Sequence, residues 1–325
     1  MSNPAFTWIY DQLETRLYIQ NPENEYSANF ESYLFNTAKH QNTQASQTFY
    51  TFCLFRLPES GAIASISFVK KSRNTFISPA KAPFGGIQRH PDCNAYELTF
   101  FIFCIEKWAQ KNNVKSLTIK SAPACYDPIF HNLLHRIYLM GEYQATEQIN
   151  HHIEITNRVF NQRIKKSECR RLTKCKNAGF TVGLDQTSSS QNIYQFIRDS
   201  FLTKQYKLSI SEDQFNILTT TFSKEILVFS VRDAHQLIAV CVTVRVSKNV
   251  LYNFIPTDLL SYRRFSPMVL LFEEIYNYCQ KERIEIWDLG TSNDHHGIIK
   301  PGLVCFKENM GGVKSSKICY HKILV

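Results

Sequence analysis

The chain has 325 residues, 44% of them hydrophobic and 20% charged, with a formal net charge of +9. That length exceeds one comfortable core and sets two domains of about 150 residues as the expectation, in a chain of ordinary globular composition. No apolar run approaches the roughly 20 residues that cross a bilayer; the most apolar stretch, "LTFFIFCIEKWA", is broken by Glu106 and Lys107.

The opening segment, "MSNPAFTWIYDQ", lacks the basic region and apolar stretch of a signal peptide, so a cytosolic protein with no membrane span is expected. The ten cysteines are scattered singly with no C-x-x-C pair, and most fall inside apolar segments, where free cysteine acts as a small buried hydrophobe. Charge is unevenly spread. Residues 1–156 carry 13 basic and 13 acidic side chains, whereas residues 157–325 carry 24 and 15, which accounts for the whole net charge. The second part is therefore expected to face an anionic partner, such as a phosphate-bearing cofactor or RNA.

In chain order, "TFYTFCLFRL" and "GAIASISFVKK" predict adjacent strands joined at "PESG". The short strand "NTFIS" follows, then the loop "PAKAPFGGIQRHPDCN". Leu98, Phe101, Ile102, Ile105, Trp108 and Ala109 recur at helical spacing after it, and "VKSLTIKS" closes the group as a strand. The same order returns about 170 residues later. "GFTVGLD" predicts a first strand, "SSQNIYQFIRDSFLTK" and "SEDQFNILTTTF" two helices, and "EILVFSVRD" with "QLIAVCVTVRVS" a hairpin. "NVLYNFIP" is the next strand, and the loop "TDLLSYRRF" leads to a helix with Ser266 as N-cap and Pro267 at its first position. The strand "RIEIWDLG" ends this second group.

A strand meander followed by loop, helix and strand differs from a doubly wound nucleotide-binding sheet, which alternates strand and helix throughout. It fits the GNAT acyltransferase architecture. The expected fold is α/β with mixed sheets, in two tandem GNAT-like domains, each a mostly antiparallel sheet flanked by helices. Their boundaries are 1–156 and 157–325, the second opening on a basic entry helix over 158–178.

Four stretches carry a closer likeness. "NQRIKKSECRRLTKCKNAGFTV", "YRRFSPMVLLFEEIYNYCQKERIEIWDLG" and "GLVCFKENMGG" resemble the domain entry, the loop-helix-strand and the near-terminal signature of the Fem-type tandem GNAT proteins. "SPAKAPFGGI" resembles a loop of relatives of that family. The resemblance implies transfer of an acyl or aminoacyl group to an amine. The wider group uses acyl-CoA, and the peptidoglycan-bridge members use aminoacyl-tRNA. Where an acetyl-CoA enzyme has a glycine-rich phosphate loop, this chain has "SYRRFSP". There the helix-start amides together with Arg263 and Arg264, in the stretch Tyr262, Arg263, Arg264, Phe265 and Ser266, would receive a pyrophosphate; the alternative is a pair of solvated loop charges.

Amine acylation needs a base for the amine, donors for the carbonyl and a proton for the leaving group. Asp288, at the carboxyl end of its strand, suits the base or else caps the following loop. Tyr252 suits the acid or else packs in the core. In "GLVCFKEN", helical spacing turns Leu303 and Phe306 to the core and Lys307 toward solvent or the cleft, where it would neutralise developing charge on a phosphate or carbonyl oxygen or remain an exposed cation. Asp294, His295 and His296 are adjacent residues that project in different directions, and a metal there would need a further ligand such as His151 or His152. No metal is expected, and His295 is instead a candidate acid or base. In the first domain Lys81, Phe84, Gly85 and Gly86 are candidate substrate contacts, because paired glycines let a backbone approach a ligand; the alternative is a degenerate copy that only supports the second domain. Arg163, Lys166, Arg170 and Lys174 fall on one helical stripe that suits a tRNA acceptor stem or simply solvent.

Three functions remain open at this level. The first is an acyl-CoA-dependent N-acyltransferase acting on a small-molecule or precursor amine in a cleft between the halves. The second is an aminoacyl-tRNA-dependent transferase acting on a peptidoglycan precursor or similar amine. The third is a non-catalytic GNAT-like protein that binds a metabolite or partner.

Overall fold

The computed structural model of the chain describes residues 4–19, 27–44, 46–58, 61–294 and 297–324. Two compact units are present, one of residues 1–148 with 316–325 and one of residues 149–315. The chain enters the second unit within one strand and leaves it within another.

Unit 1 begins with the strands β1 (Phe6–Tyr10), β2 (Leu13–Ile19) and β3 (Ser27–Ala28) and the short helix α1 (Ala38–Asn42). Then come β4 (Phe49–Arg56), β5 (Gly61–Ser72), β6 (Thr75–Ser78), β7 (Gln88–Arg89), α2 (Ala95–Lys111), β8 (Ser116–Lys120) and α3 (Pro128–Met140). β1, β2, β4, β5 and β6 pair antiparallel in sequence, and β6 then pairs parallel with β8. α2 makes the crossover that a parallel pair requires. Its start is fixed by a reciprocal cap, in which Asn94 accepts from the Glu97 amide and Glu97 accepts from the Asn94 amide. Leu98, Phe101, Ile105 and Ala109 turn inward from it to meet Phe52, Ile66 and Leu117 from the sheet.

β9 (Gln144–Glu154) carries the chain into unit 2. There α4 (Lys166–Asn177), β10 (Thr181–Leu184), α5 (Ser190–Thr203), α6 (Glu212–Thr221), β11 (Ile226–Asp233), β12 (Gln236–Ser247) and β13 (Val250–Asp258) follow. The unit continues with α7 (Pro267–Lys281), β14 (Ile286–Thr291) and α8 (Pro301–Asn309), and β15 (Val313–Ile323) returns the chain to unit 1. β10 to β13 form an antiparallel meander, β13 pairs parallel with β14 across α7, and β14 pairs antiparallel with the unit 2 part of β9. This repeats the unit 1 order of meander, crossover helix and parallel strand. The basic entry segment is helical only over α4; Phe160–Gln162 form a 3-10 turn, and Arg163 lies outside the helix over the Tyr276 ring.

Side chains alternate across a strand, so each row of paired residues faces one side of the sheet. Ile153, Trp287 and Leu251 form one such row, fully buried against α7. Val240, Val242 and Ile255 face the other side and pack on α5 and α6 through Ile193, Ile197 and Phe215. No helix among the described residues is long and apolar enough to cross a membrane.

Trp287 has no exposed surface, and its indole Nε1 has no hydrogen-bond partner. Trp287→Phe, which removes the unsatisfied donor and keeps most of the volume, is expected to change stability by less than about 1.5 kcal/mol. Trp287→Ala should cost about 3–5 kcal/mol. Urea unfolding of the two variants measures the difference.

Candidate active site

The parallel ladder of unit 2 is short. Val250 pairs with Ile286, Leu251 with Trp287 and Tyr252 with Asp288, and there the pairing stops although β13 runs on to Asp258. Both strands bulge at this level. Phe254 is the extra residue of β13 against β12, and Leu289 is the extra residue of β14 against β9. A bulge re-aims side chains and ends pairing, and such bulges gather beside active sites. The last complete row is His152, Asp288 and Tyr252 across three strands, facing away from α7.

Asp288 has no exposed surface. Its Oδ1 accepts from Asn150 Nδ2 at 2.8 Å and from the Gly290 amide at 2.8 Å. The carboxylate therefore pins the bulge as well as standing in the row. Gly290 has φ +74°, and a β-carbon there would lie 3.5 Å from Tyr252 Cε2, so this position needs glycine for conformation while the Tyr252 ring covers it. Burial pushes the Tyr252 phenol well above its usual 10, and the neighbouring Asp288 charge adds to the rise. A phenol in that setting keeps its proton at neutral pH.

Of the two directions that helical spacing leaves to Lys307, solvent or the cleft, its burial removes the first. Lys307 is 5% exposed, whereas Leu303 is the exposed member of the same α8 face. Its Nζ donates to the Gly290 and Thr291 carbonyls at 2.7 and 2.8 Å. The bulge leaves these strand-end acceptors in need of donors, and a long cationic side chain supplies them. Burial lowers the Lys307 pKa to about 8, with Asp288 acting in the opposite sense.

Sequence reading raised the histidine pair only as metal ligands, and it passed over Asn150. His151 Nδ1 lies 3.1 Å from Ser292 Oγ, and burial, then the Lys307 charge, lowers its pKa to about 4. His152 is lowered by burial too. Asn150 Oδ1, His151 Nε2 and His152 Nδ1 have no protein partner although all three are buried. Unpaired polar atoms are costly in a core, and three of them fall in one run of β9 beside the Asp288 row.

The other candidates sit elsewhere. The loop before α7 uses its own amides: those of Tyr262, Arg263, Phe265 and Ser266 donate to the carbonyls of Leu259, Leu260, Tyr262 and Arg263. Tyr262 and Phe265 pack with Phe180, the Tyr262 hydroxyl donates to Asp233, and Arg264 lies over the Phe265 ring. Arg263 and Arg264 are exposed. Ser266 is not the side-chain cap that the sequence predicts. The turn closed by its own amide delivers the chain to α7 at φ +59°, and Val269 N–H bonds the Ser266 carbonyl instead. Lys174 of α4 donates to the Arg264 carbonyl at 2.7 Å.

In unit 1, Phe84 is fully buried among Tyr33, Phe35 and Tyr126. Gly85 forms a bridge with Ser121, and a β-carbon on it would meet the Pro79 backbone at 2.8 Å. Gly86 donates its amide to Ser78 Oγ, and both glycines border a small pocket with Gln88, Asp127 and His131. Lys81 is exposed, and its backbone pairs with the Gln44 side chain. His295 and His296 lie outside the described residues. Among the described residues no group of three or more His, Cys, Asp or Glu side chains is placed to hold a metal ion.

No family model and no curated protein sequence matches the chain. Solved structures do. FemX superposes with a TM-score of 0.68 at 11% identity, over 90% of this chain and 92% of its own. The C-terminal DUF2156 domain of a putative lysylphosphatidylglycerol synthetase from Agrobacterium fabrum gives 0.56 at 12% identity, over 79% and 80%. A tandem GNAT protein from the clavulanic acid biosynthesis pathway gives 0.50 at 7% identity, over 94% and 93%. The fold is of the GNAT type. At such identities the likeness reaches the mixed α/β architecture alone, and the chemistry rests on the residues of this chain.

Lys307→Met is expected to lower stability by about 2–3 kcal/mol, because two strand-end carbonyls lose a charged donor. The folded pKa of Lys307, about 8, lies below its usual 10.5. The unfolded chain therefore holds more protons between these values, and the wild type should gain stability relative to the variant as pH rises through that window. Urea unfolding across this pH range checks both the size and the slope.

Proposed function

We propose that the chain is an amine acyltransferase whose chemistry takes place where β13 and β14 part. The observation that carries this reading is the His152–Asp288–Tyr252 row at the last pair of the parallel ladder. The amine nitrogen attacks the acyl carbonyl carbon, and the bond from that carbon to the leaving sulfur or oxygen breaks. Tyr252 gives its proton to the leaving group. The proton released by the amine passes through water to Asp288, which then restores Tyr252, so the cycle closes without net gain or loss of protons. Lys307 holds the strand end that shapes this point and is a positioning residue.

Unit 1 has a parallel pair in the same place, and its last partners are Ser78 and Ile119. The serine hydroxyl already receives the Gly86 amide, and isoleucine moves no proton. That contrast supports assigning the reaction to unit 2.

Acyl-CoA is the first donor class in this reading, since β13 beyond Tyr252 leaves one backbone edge open to an amide-bearing arm. One observation favours aminoacyl-tRNA as a second reading. The loop before α7 spends four amides on its own turns and offers exposed Arg263 and Arg264 instead of a phosphate cradle.

Thermal unfolding with a CoA and acyl-CoA series and with charged tRNA separates the donors. Stabilisation by CoA compounds alone rejects the tRNA reading, and stabilisation by charged tRNA alone rejects CoA. Stabilisation by neither counts against acyl transfer altogether. With the stabilising donor, Asp288→Asn should abolish turnover at nearly unchanged melting temperature, because an amide oxygen still accepts from Asn150 and Gly290. Full activity in that variant would remove Asp288 from the mechanism.

A further inference from the structure

Unit 1 has a pocket of its own, between the Gly85–Gly86 loop, the residues after β8 and the first turn of α3. Tyr33, Tyr126 and Phe130 line it. The Tyr33 and Tyr126 rings meet edge to face at 5.3 Å, and the fully buried Phe84 packs edge to face on both. Paired glycines beside a helix start would suit an anion, but the donors there are largely spent. The Gly85 amide bonds the Lys120 carbonyl, and the Gly86 amide bonds Ser78 Oγ. Pro128 has no N–H, the Phe130 amide goes to Asp127 Oδ1 at 3.0 Å, and the His131 amide goes to the Asp127 carbonyl. Gln88 accepts from the Tyr33 amide and donates to the Ile87 carbonyl. Burial, then His135, lowers the His131 pKa, so this imidazole is neutral at neutral pH.

The charge left at the pocket is negative. The Asp127 side chain is 43% exposed, and its Oδ2 lies 3.5 Å from Arg89 Nη2, at the limit of a hydrogen bond. Arg89 turns its Nη1 to the His90 and Pro91 carbonyls and lies 4.4 Å over the Phe130 ring. Burial, then the Asp127 charge, holds the Tyr33 phenol well above its usual 10, so that ring stays uncharged. An adjoining cleft past His131 adds Glu147, and among the described residues neither lining includes a lysine or arginine. In a chain of net charge +9 this is a local reversal of sign.

We infer that this pocket binds an organic ammonium ion, held by the Asp127 carboxylate and by the rings of Tyr33 and Tyr126. The carboxylate supplies the opposite charge, and aromatic rings attract cations through their quadrupole. Arg89 over Phe130 shows the same preference with a cation of the chain itself. The pocket is small, so it takes the ammonium end of its ligand. The site lies wholly within unit 1 and depends neither on the acyl donor nor on the chemistry at Tyr252.

Propylammonium, 1-propanol and propionate share one carbon chain and differ in charge, and titration of each into the full chain, followed by ligand-detected NMR, tests the inference. Propylammonium is expected to bind about tenfold or more tightly than 1-propanol, and propionate is expected not to bind. Asp127→Asn keeps the helix cap, since asparagine caps as well as aspartate, and removes only the charge. It should weaken propylammonium about tenfold at a nearly unchanged melting temperature. Tyr126→Leu should weaken it about threefold. Equal binding of the alcohol and the ammonium ion, or tighter binding of propionate, would overturn the inference. Wild-type affinity in Asp127→Asn would overturn it too, as would no binding of propylammonium at about 50 mM.

Discussion

Unit 2 depends on a parallel ladder that ends after three residue pairs. A sheet edge opened inside a fold must find partners for its backbone groups, and here the consequences spread outward from that need. The Asp288 side chain takes the Gly290 amide, Lys307 takes the Gly290 and Thr291 carbonyls, and a glycine at φ +74° lets the strand turn between them. A buried cation and a buried carboxylate are thus held close to the same bulge. Each costs desolvation that the other and the backbone partly offset. The same bulge fixes Tyr252 above Gly290, so the geometry that closes the strand end also aims the candidate proton donor.

The two units share an order of elements and differ in what that order encloses. In unit 1 the loop after β6 folds back, and Gly85 bridges Ser121 just beyond β8, so the ladder is continued by the loop itself. A side chain at Gly85 would collide with the Pro79 backbone, so glycine is what permits the return. In unit 2 the corresponding loop moves away into its own turns and packs through Tyr262 and Phe265. One architecture therefore gives a closed ladder in one unit and an open strand end in the other.

Much of the fold was legible because the strands alternate cleanly and their turns carry ordinary signals. The hairpin of β11 and β12 and the helix α7 behind Pro267 are examples. α3 was passed over although Asp127 and Pro128 are a sound cap and first-turn pair. Lys307 was legible as a residue of interest, with solvent and the cleft both open as its direction, and it is buried. Helical spacing ranks lysine outward, and only the folded strand end brings two carbonyls within its reach. The neighbours of Asp288 were hidden for a related reason: Asn150 is 138 residues away in the chain, and no local pattern reports that β9 lies beside β14. Propensity and periodicity speak to elements, whereas this site is made by a register.

The central claim is that Tyr252 delivers a proton to the leaving group, and leaving-group dependence tests it most directly. Acyl donors that share one acyl group and differ in leaving-group basicity should be compared in wild type and Tyr252→Phe under single-turnover conditions. A general acid matters most when the leaving group is basic, so the variant should lose about 100-fold or more on an alkyl thioester or ester and far less on an activated aryl one. An equal loss on both donors, or no loss on either, would contradict the account.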